Sequence, residues 1–263
     1  MKKISILLLL FTICVIFNNY TFAQAEYTQS SAEAVMEVSS GRLLYSHNEK
    51  EKLPMASTTK IVTAITIIEN CDVNSVVEVG KETVGVEGSS VYLKEGDKFT
   101  VRDLLYGLLL RSGNDCAETL AVFCCGNIAD FCNLMNDTAK KYGATDSSFK
   151  NPHGLPCKNH YTTAEDLCKI TCHALQNELF STIVSTKTYV ATEIKSGEKR
   201  IWKNKNKLLN FFDGADGVKT GYTKQAGRCL VGSATVNGMK AVSVVLNSPQ
   251  MFERSEELLK TAF

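Results

Sequence analysis

The apolar residues of this chain follow two rhythms. Near the start they run as Ala34-Val35-Met36-Glu37-Val38, break at Ser39-Ser40-Gly41 and resume at Leu43-Leu44-Tyr45. That pattern predicts a β-hairpin over residues 32–47 with its turn at Ser-Gly. Helical spacing then takes over. Ile61, Ala64, Ile65 and Ile68 share one face of a helix predicted over residues 57–69. Further helices are predicted over 101–110, from about 117, over 127–142, and from a cap at Thr162 or Thr163 through 175. Residues 75–99 read as short strands and turns, and 185–212 as a hairpin plus a connection. Strand patterns return at 217–223, 229–235 and 239–246, and a helix from 252 closes the chain. Strands at both ends with helices between them predict an α+β fold, with a mainly antiparallel sheet formed by both chain ends and flanked by helices.

The first residues add a different signal. Met1-Lys2-Lys3 is basic, residues 4–17 are mostly apolar, and small residues follow at Ala23 and Ala25. This order reads as a secretory signal peptide over residues 1–25, and the apolar run is short of the roughly 20 residues a membrane span needs. The expected domain map is therefore a signal peptide over 1–25 and a single domain over 26–263. Without Lys2 and Lys3 the 29 basic residues fall to 27 against 28 acidic ones. No basic stripe with interleaved aromatics appears, so no nucleic-acid partner is expected.

Cysteine is unusually frequent for an exported chain. Nine of the ten lie after residue 25, and most fall within apolar helical patterns. They are expected to be buried thiols acting as small hydrophobes rather than a disulfide framework. Cys168, Cys172 and His173 could be drawn as metal ligands, but no paired C-x-x-C accompanies them, so no metal and no cofactor is expected.

Three short motifs carry the chemistry: Ser57-Thr58-Thr59-Lys60, Ser112-Gly113-Asn114 and Lys219-Thr220-Gly221. On a helix, Lys60 lies one turn from Ser57 on the same face. A serine hydroxyl needs a base, and a lysine becomes one when burial or a neighbouring cation lowers its pKa. Lys219 is the candidate second cation. Ser112 can relay a proton, and Asn114 can hold a substrate amide or Lys60. Gly221 lets a substrate backbone approach its strand closely, and Lys219 and Thr220 can bind a carboxylate. Ser-x-x-Lys alone is weak, since it recurs at Ser147–Lys150 and Ser196–Lys199. The four histidines form no H-E-x-x-H pattern and no G-x-S-x-G elbow is present. His153 and His160 flank a loop and are read as structural.

With these motifs in order, and with Asn151-Pro152-His153-Gly154-Leu155 and Asp216-Gly217-Val218 between and before them, the chain resembles serine-type D-alanyl-D-alanine carboxypeptidases, the low-molecular-mass penicillin-binding proteins. The resemblance implies a β-lactamase/D,D-peptidase-like fold with a largely helical insert. It implies acylation of Ser57 by the penultimate D-alanine of a peptidoglycan stem peptide, with Lys60 as general base and Ser112 and Asn114 assisting. It further implies Lys219 and Thr220 on the carboxylate side, backbone amides of Ser57 and Tyr222 as an oxyanion hole, and β-lactam antibiotics as acylating inhibitors. By spacing, Arg254 matches an arginine that binds the terminal carboxylate in relatives. The implied location is the cell-wall space. Many relatives continue into a β-rich second domain and a C-terminal amphipathic anchor, whereas this chain stops at Phe263 just after its last predicted helix, so membrane attachment is not expected here. A D,D-endopeptidase, a β-lactamase and a non-catalytic wall-binding or antibiotic-sensing module remain as alternatives.

Overall fold

A computed structural model of the chain describes residues 30–263, so the expected signal peptide lies outside the described residues. Strand β1 (Ala32–Glu37) turns back into β2 (Leu43–His47), and Gly41 takes the left-handed φ of +67° that the tight turn requires. The chain then leaves the sheet for the helices. It returns as β7 (Ala215–Thr223), β8 (Gly227–Val236) and β9 (Met239–Leu246). These five strands form one antiparallel sheet in the order β2-β1-β9-β8-β7. The first strand and the last thus lie side by side at its centre, and β7 is an edge.

Helices cover both faces. On one lie α5 (Ala164–Gln176), against β1 and β9, and α6 (Glu178–Ser185), against β7. On the other lies α8 (Met251–Ala262), against β8 and β9. Burial from both sides explains why β8 and β9 carry nearly continuous apolar runs instead of a strict alternation. The helical layer continues through α1 (Lys60–Asn70), α2 (Val101–Leu110), α3 (Asn114–Cys125) and α4 (Ile128–Lys141). Two small hairpins, β3 (Val76–Glu78) with β4 (Lys98–Thr100) and β5 (Thr188–Thr192) with β6 (Lys199–Lys203), flank α2. A single-turn α7 (Leu208–Phe211) precedes β7.

Local signals account for most helix ends. Thr100 and Asp103 form a reciprocal capping box at α2. Asn127 caps α4, Thr163 caps α5, and Asn177 ends α5 while its side chain caps α6 through the Phe180 amide at 3.1 Å. Three features depart from the sequence expectations. Helix α1 is buried on every side from Lys60 to Ile67, not along one stripe, because it runs through the middle of the helical layer. Helix α3 starts at Asn114, three residues early, because the Asn114 amide donates to Ser89 O at 2.7 Å instead of to a local cap. Helix α6 falls between the predicted elements; it forms where Asn177 supplies the cap and Phe180, Ile183 and Val184 reach the core.

All nine described cysteines are free. Cys116, Cys132, Cys168, Cys172 and Cys229 are buried, as expected of small apolar side chains. Cys71, Cys124 and Cys125 are only half-buried, where the ends of α1 and α3 meet, and Cys157 is exposed on a loop, so packing explains five of the nine. Cys168 and His173 face different surroundings: the Cys168 thiol points at Ala34 O, and the His173 ring stacks on Tyr142 at 4.5 Å.

Candidate active site

Ser57 sits in a single 3-10 turn, Ala56–Thr59, that leads directly into α1. The turn is held by its own threonines. Thr58 Oγ1 donates to Met55 O at 2.7 Å and Thr59 Oγ1 to Ala56 O at 2.8 Å. His160 braces it from outside. Its Nδ1 accepts the Lys150 amide at 2.9 Å, so Nε2 carries the hydrogen and donates to Thr59 Oγ1 at 3.0 Å. Burial drops His160 to about 4, so the ring stays neutral in this role. Ala56, just before the serine, is held at φ +49°, a left-handed conformation that strains a residue with a Cβ.

Two glycines let other segments touch this turn. A Cβ on Gly154 would lie 1.9 Å from Ala56 O, and one on Gly221 would lie 3.0 Å from Ser57 N. The loop after α4 and the edge strand β7 therefore press on the serine from two sides. The close approach at Gly221 is to the serine turn itself.

Lys60 is fully buried at the first residue of α1, and its amine has three acceptors. These are Ser57 Oγ at 3.2 Å, Asn114 Oδ1 at 2.7 Å and His153 O at 2.7 Å. Burial pushes its pKa well below the ordinary 10.5, and the nearby charges of Lys219 and Lys205 push the same way. A neutral amine has two hydrogens and one lone pair. Asn114 Oδ1 and His153 O can only accept, so they take the hydrogens. The lone pair is left facing the one neighbour that can donate, the Ser57 hydroxyl.

The second motif is a tight break between α2 and α3. Ser112 is buried and sits at φ +65°, a left-handed position for a non-glycine residue. Asp115, also buried, anchors the segment packed against it through the Val91 and Leu93 amides at 3.1 Å and the Ser90 hydroxyl at 2.6 Å. On β7, Lys219 is buried and its amine donates to Thr220 O at 2.8 Å. Burial, with help from Lys205, brings it down to about 7. The Tyr222 side chain is exposed.

The structure thus brings Ser57, Lys60 and Asn114 into direct contact, sets Lys219 within electrostatic reach, and lays Gly221 against the serine turn. Arg254 is not brought to this site, a correction to the spacing argument. It lies on α8, on the opposite face of the sheet, where its guanidinium donates to both Glu33 oxygens at 2.8 and 2.7 Å and to Tyr45. Counting residues from Lys219 said nothing of which sheet face the helix would cover. The other Ser-x-x-Lys matches are likewise spent elsewhere: Ser147 Oγ donates to Asp166, and Ser196 Oγ accepts the Glu198 amide.

Sequence reasoning missed Lys205. It follows β6, its backbone amide donates to Leu110 O at 3.1 Å and its amine to Ser89 Oγ at 3.1 Å. It acts electrostatically on both Lys60 and Lys219, and its own pKa is lowered by burial and by Arg111. No motif marks it, because it lies in a polar connection whose lysines look alike in sequence. The His153 carbonyl was missed for the same kind of reason: a backbone acceptor has no residue signature.

The sequence model of the D-alanyl-D-alanine carboxypeptidase family (Peptidase_S11) matches residues 19–250. The chain is 33% identical to the D-alanyl-D-alanine carboxypeptidase DacF of Bacillus subtilis, over 99% of this chain and 70% of that protein. It is 34% identical to the D-alanyl-D-alanine carboxypeptidase DacC of Escherichia coli, over 91% of this chain and 62% of that protein. Among solved structures, a variant of the Streptomyces K15 DD-transpeptidase superposes with a TM-score of 0.83 at 33% identity, covering 89% of this chain and 97% of that one. The chain belongs to the serine-type D-alanyl-D-alanine carboxypeptidases of the low-molecular-mass penicillin-binding kind.

Proposed function

We propose that this chain removes the terminal D-alanine from peptidoglycan stem pentapeptides through an acyl-enzyme on Ser57. The observation that carries the role of each residue is the amine of Lys60, buried among two pure acceptors and the Ser57 hydroxyl. In this reading Ser57 Oγ attacks the carbonyl carbon of the penultimate D-alanine while its proton passes to Lys60 Nζ. The Ser57 and Tyr222 amides receive the oxyanion. The C–N bond breaks, and Lys60 returns the proton to the leaving amine with Ser112 as relay. Water then attacks the ester, its proton passes to Lys60 and on to Ser57 Oγ, and the tetrapeptide leaves. Asn114 positions Lys60 and the substrate amide. Lys219, Thr220 and Lys205 attract the terminal carboxylate; none of the three lysines of the site is paired with a carboxylate among the described residues. Gly221 lets the peptide lie along the β7 edge. β-Lactams acylate the same serine.

Residues 1–25 act as a cleaved export signal and residues 26–263 form the catalytic domain, which works in the cell-wall space. The basic–apolar–small order at the start supports export. Among the described residues no helix is long and apolar enough to cross a membrane.

The test is release of free D-alanine from a stem pentapeptide by the wild-type domain and by Ser57→Ala. Release by the wild type alone is the expected result. Equal release by both would remove Ser57 from the reaction, and no release by either would reject the carboxypeptidase reading.

A further inference from the structure

Packing leaves three half-buried cysteines unexplained, and they stand together. Cys71 closes the C-terminal end of α1, where its amide donates to Ile67 O at 2.9 Å. Cys124 and Cys125 are the last two residues of α3, before Gly126 ends that helix at φ +77°. The Cys125 thiol donates to Cys124 Sγ at 3.6 Å, and the Cys124 thiol is hydrogen-bonded to Cys71. The three sulfurs thus form a short chain across two helices, and all three residues are partly open to solvent. No group of three or more His, Cys, Asp or Glu side chains among the described residues has the arrangement of a metal site. The chemistry this cluster offers is that of thiols.

Acidity is uneven along it. The hydrogen bond from Cys124 holds the Cys71 thiol below the ordinary 9.0. The same bond, with burial, pushes Cys124 up, and burial with the Cys124 hydrogen bond pushes Cys125 up to about 11. A thiolate is the attacking species in disulfide exchange, so Cys71 attacks first. Geometry then selects its partner. Neighbours along one helix have Cα atoms about 3.8 Å apart, short of the roughly 4.4–6.8 Å that a disulfide spans. Cys124 and Cys125 therefore do not close on each other within α3. Cys71 meets Cys124 from a separate helix and is free of that restriction.

We propose that this cluster is a disulfide-forming site whose Cys71–Cys124 bond, made by exchange with a small-molecule disulfide, staples α1 to α3. The Cys71 sulfur attacks one sulfur of the small disulfide and displaces a first thiol. The Cys124 sulfur then attacks the Cys71 sulfur and displaces a second. Each leaving thiolate takes up the proton its attacker gave up. Two protein thiols lose two electrons in all, and one small disulfide is reduced to two thiols. Cys125 stays free. Disulfides persist in extracytoplasmic spaces, which is where the export signal proposed above sends the chain. Helix α1 begins at Lys60 and α3 at Asn114, whose side chains meet at 2.7 Å. The bond fastens the far ends of the same two helices. The loop it closes, residues 71–124, holds the β3–β4 hairpin, α2 and the Ser112 break. Closing a loop of that length restrains the unfolded chain more than the folded one, so the effect falls on stability.

The test incubates the purified chain with oxidised glutathione, blocks the remaining thiols with iodoacetamide and maps the peptides by mass spectrometry. A Cys71–Cys124 cross-link with Cys125 alkylated is expected. The unfolding midpoint should rise by about 5 °C or more and return on addition of a dithiol reductant. Cys125→Ser is expected to form the same bond and show the same rise, and Cys71→Ser to show neither. If Cys71→Ser fails to fold, the wild-type map and its reducible midpoint decide the matter alone. Alkylation of all three cysteines, a glutathione adduct that proceeds no further, a bond between Cys71 and Cys125, or a cross-link that leaves the midpoint unchanged would each overturn the proposal. None of these readouts depends on D-alanine release, so the staple and the carboxypeptidase reading stand or fall separately.

Discussion

The two ends of the central sheet bury charge in opposite ways. At the β1–β2 end Glu33 is wholly buried and Arg254 meets both of its oxygens. Burial pushes the Glu33 carboxyl up, yet the Arg254 hydrogen bonds hold it below the ordinary 4.5. The pair is complete. At the β7 end Lys60 and Lys219 are just as deeply buried, no carboxylate among the described residues pairs with either, and both are driven down. A paired charge in a protein interior needs its partner to stay. An unpaired one sheds its charge, and a neutral amine is what an acyl-transfer site requires of a lysine base. The first arrangement keeps the fold together. The second, in the proposed reaction, holds a locally unfavourable state in place for chemistry.

Removing a cation should therefore have opposite consequences at the two ends. Lys60→Met is expected to lower acylation by about 10²–10⁴-fold, the usual worth of a general base, while the unfolding midpoint stays unchanged or rises. A β-lactam adduct followed by mass spectrometry reads the first, a thermal melt the second. Arg254→Met should leave acylation by the folded enzyme within a few-fold and cost about 3–5 kcal/mol of stability, because Glu33 remains buried without its cation. If Arg254→Met abolished acylation in a protein that melts normally, the assignment of this arginine to the structural end would be wrong. Glu33→Gln in the same background should restore part of the loss.

A smaller effect is expected where backbone, rather than charge, sets the site. Gly154→Ala drives a methyl into Ala56 O, so either the loop or the serine turn must shift. A displacement of about 1 Å at the reacting groups can cost on the order of 10²-fold in rate. Steady-state D-alanine release should show this loss with the unfolding midpoint moved far less than in Arg254→Met.

Titration sharpens the contrast further. Lys60 must be neutral to act, so kcat/KM rises with pH through its lowered pKa. Lys219, at about 7, loses its charge above that pH and with it the attraction for an anionic substrate. The falling limb of kcat/KM should lie near 7 and should vanish in Lys219→Arg, since a guanidinium does not deprotonate in this range. Stability moves as well. The folded state binds fewer protons at Lys219 than the unfolded chain between about 7 and the ordinary 10.5, so stability should increase with pH across that window. In Lys219→Met the increase should shrink. Glu33 behaves as a depressed carboxyl, and its contribution is lost only as pH falls below 4.5 toward its folded value.

Sheet, helices and the serine motifs were legible in the sequence because each has a local signal. Alternation marked β1, the cap read at Thr162 or Thr163 marked α5, and Ser57 and Lys60 are neighbours on one turn. Other features depend on contacts distant in the chain. Lys205 is one of several lysines in a polar stretch until the fold sets it beside Ser89. Arg254 has the right spacing from Lys219 and the wrong face of the sheet. Asn114 starts a helix because Ser89 O, 25 positions away, receives its amide. The left-handed φ of Ser112, in the break between α2 and α3, has no signal in the motif Ser112-Gly113-Asn114 itself.

The three acceptors around the Lys60 amine have one more consequence. As an ammonium, Lys60 donates to all of them; as an amine it donates to two and accepts from the third. Both protonation states use the same partners in the same places. Only the direction of the Ser57 bond reverses. The three protein partners stay in place when the proton crosses, so their share of the reorganisation energy of each transfer is small. The polar surroundings are already in the configuration that the next step needs.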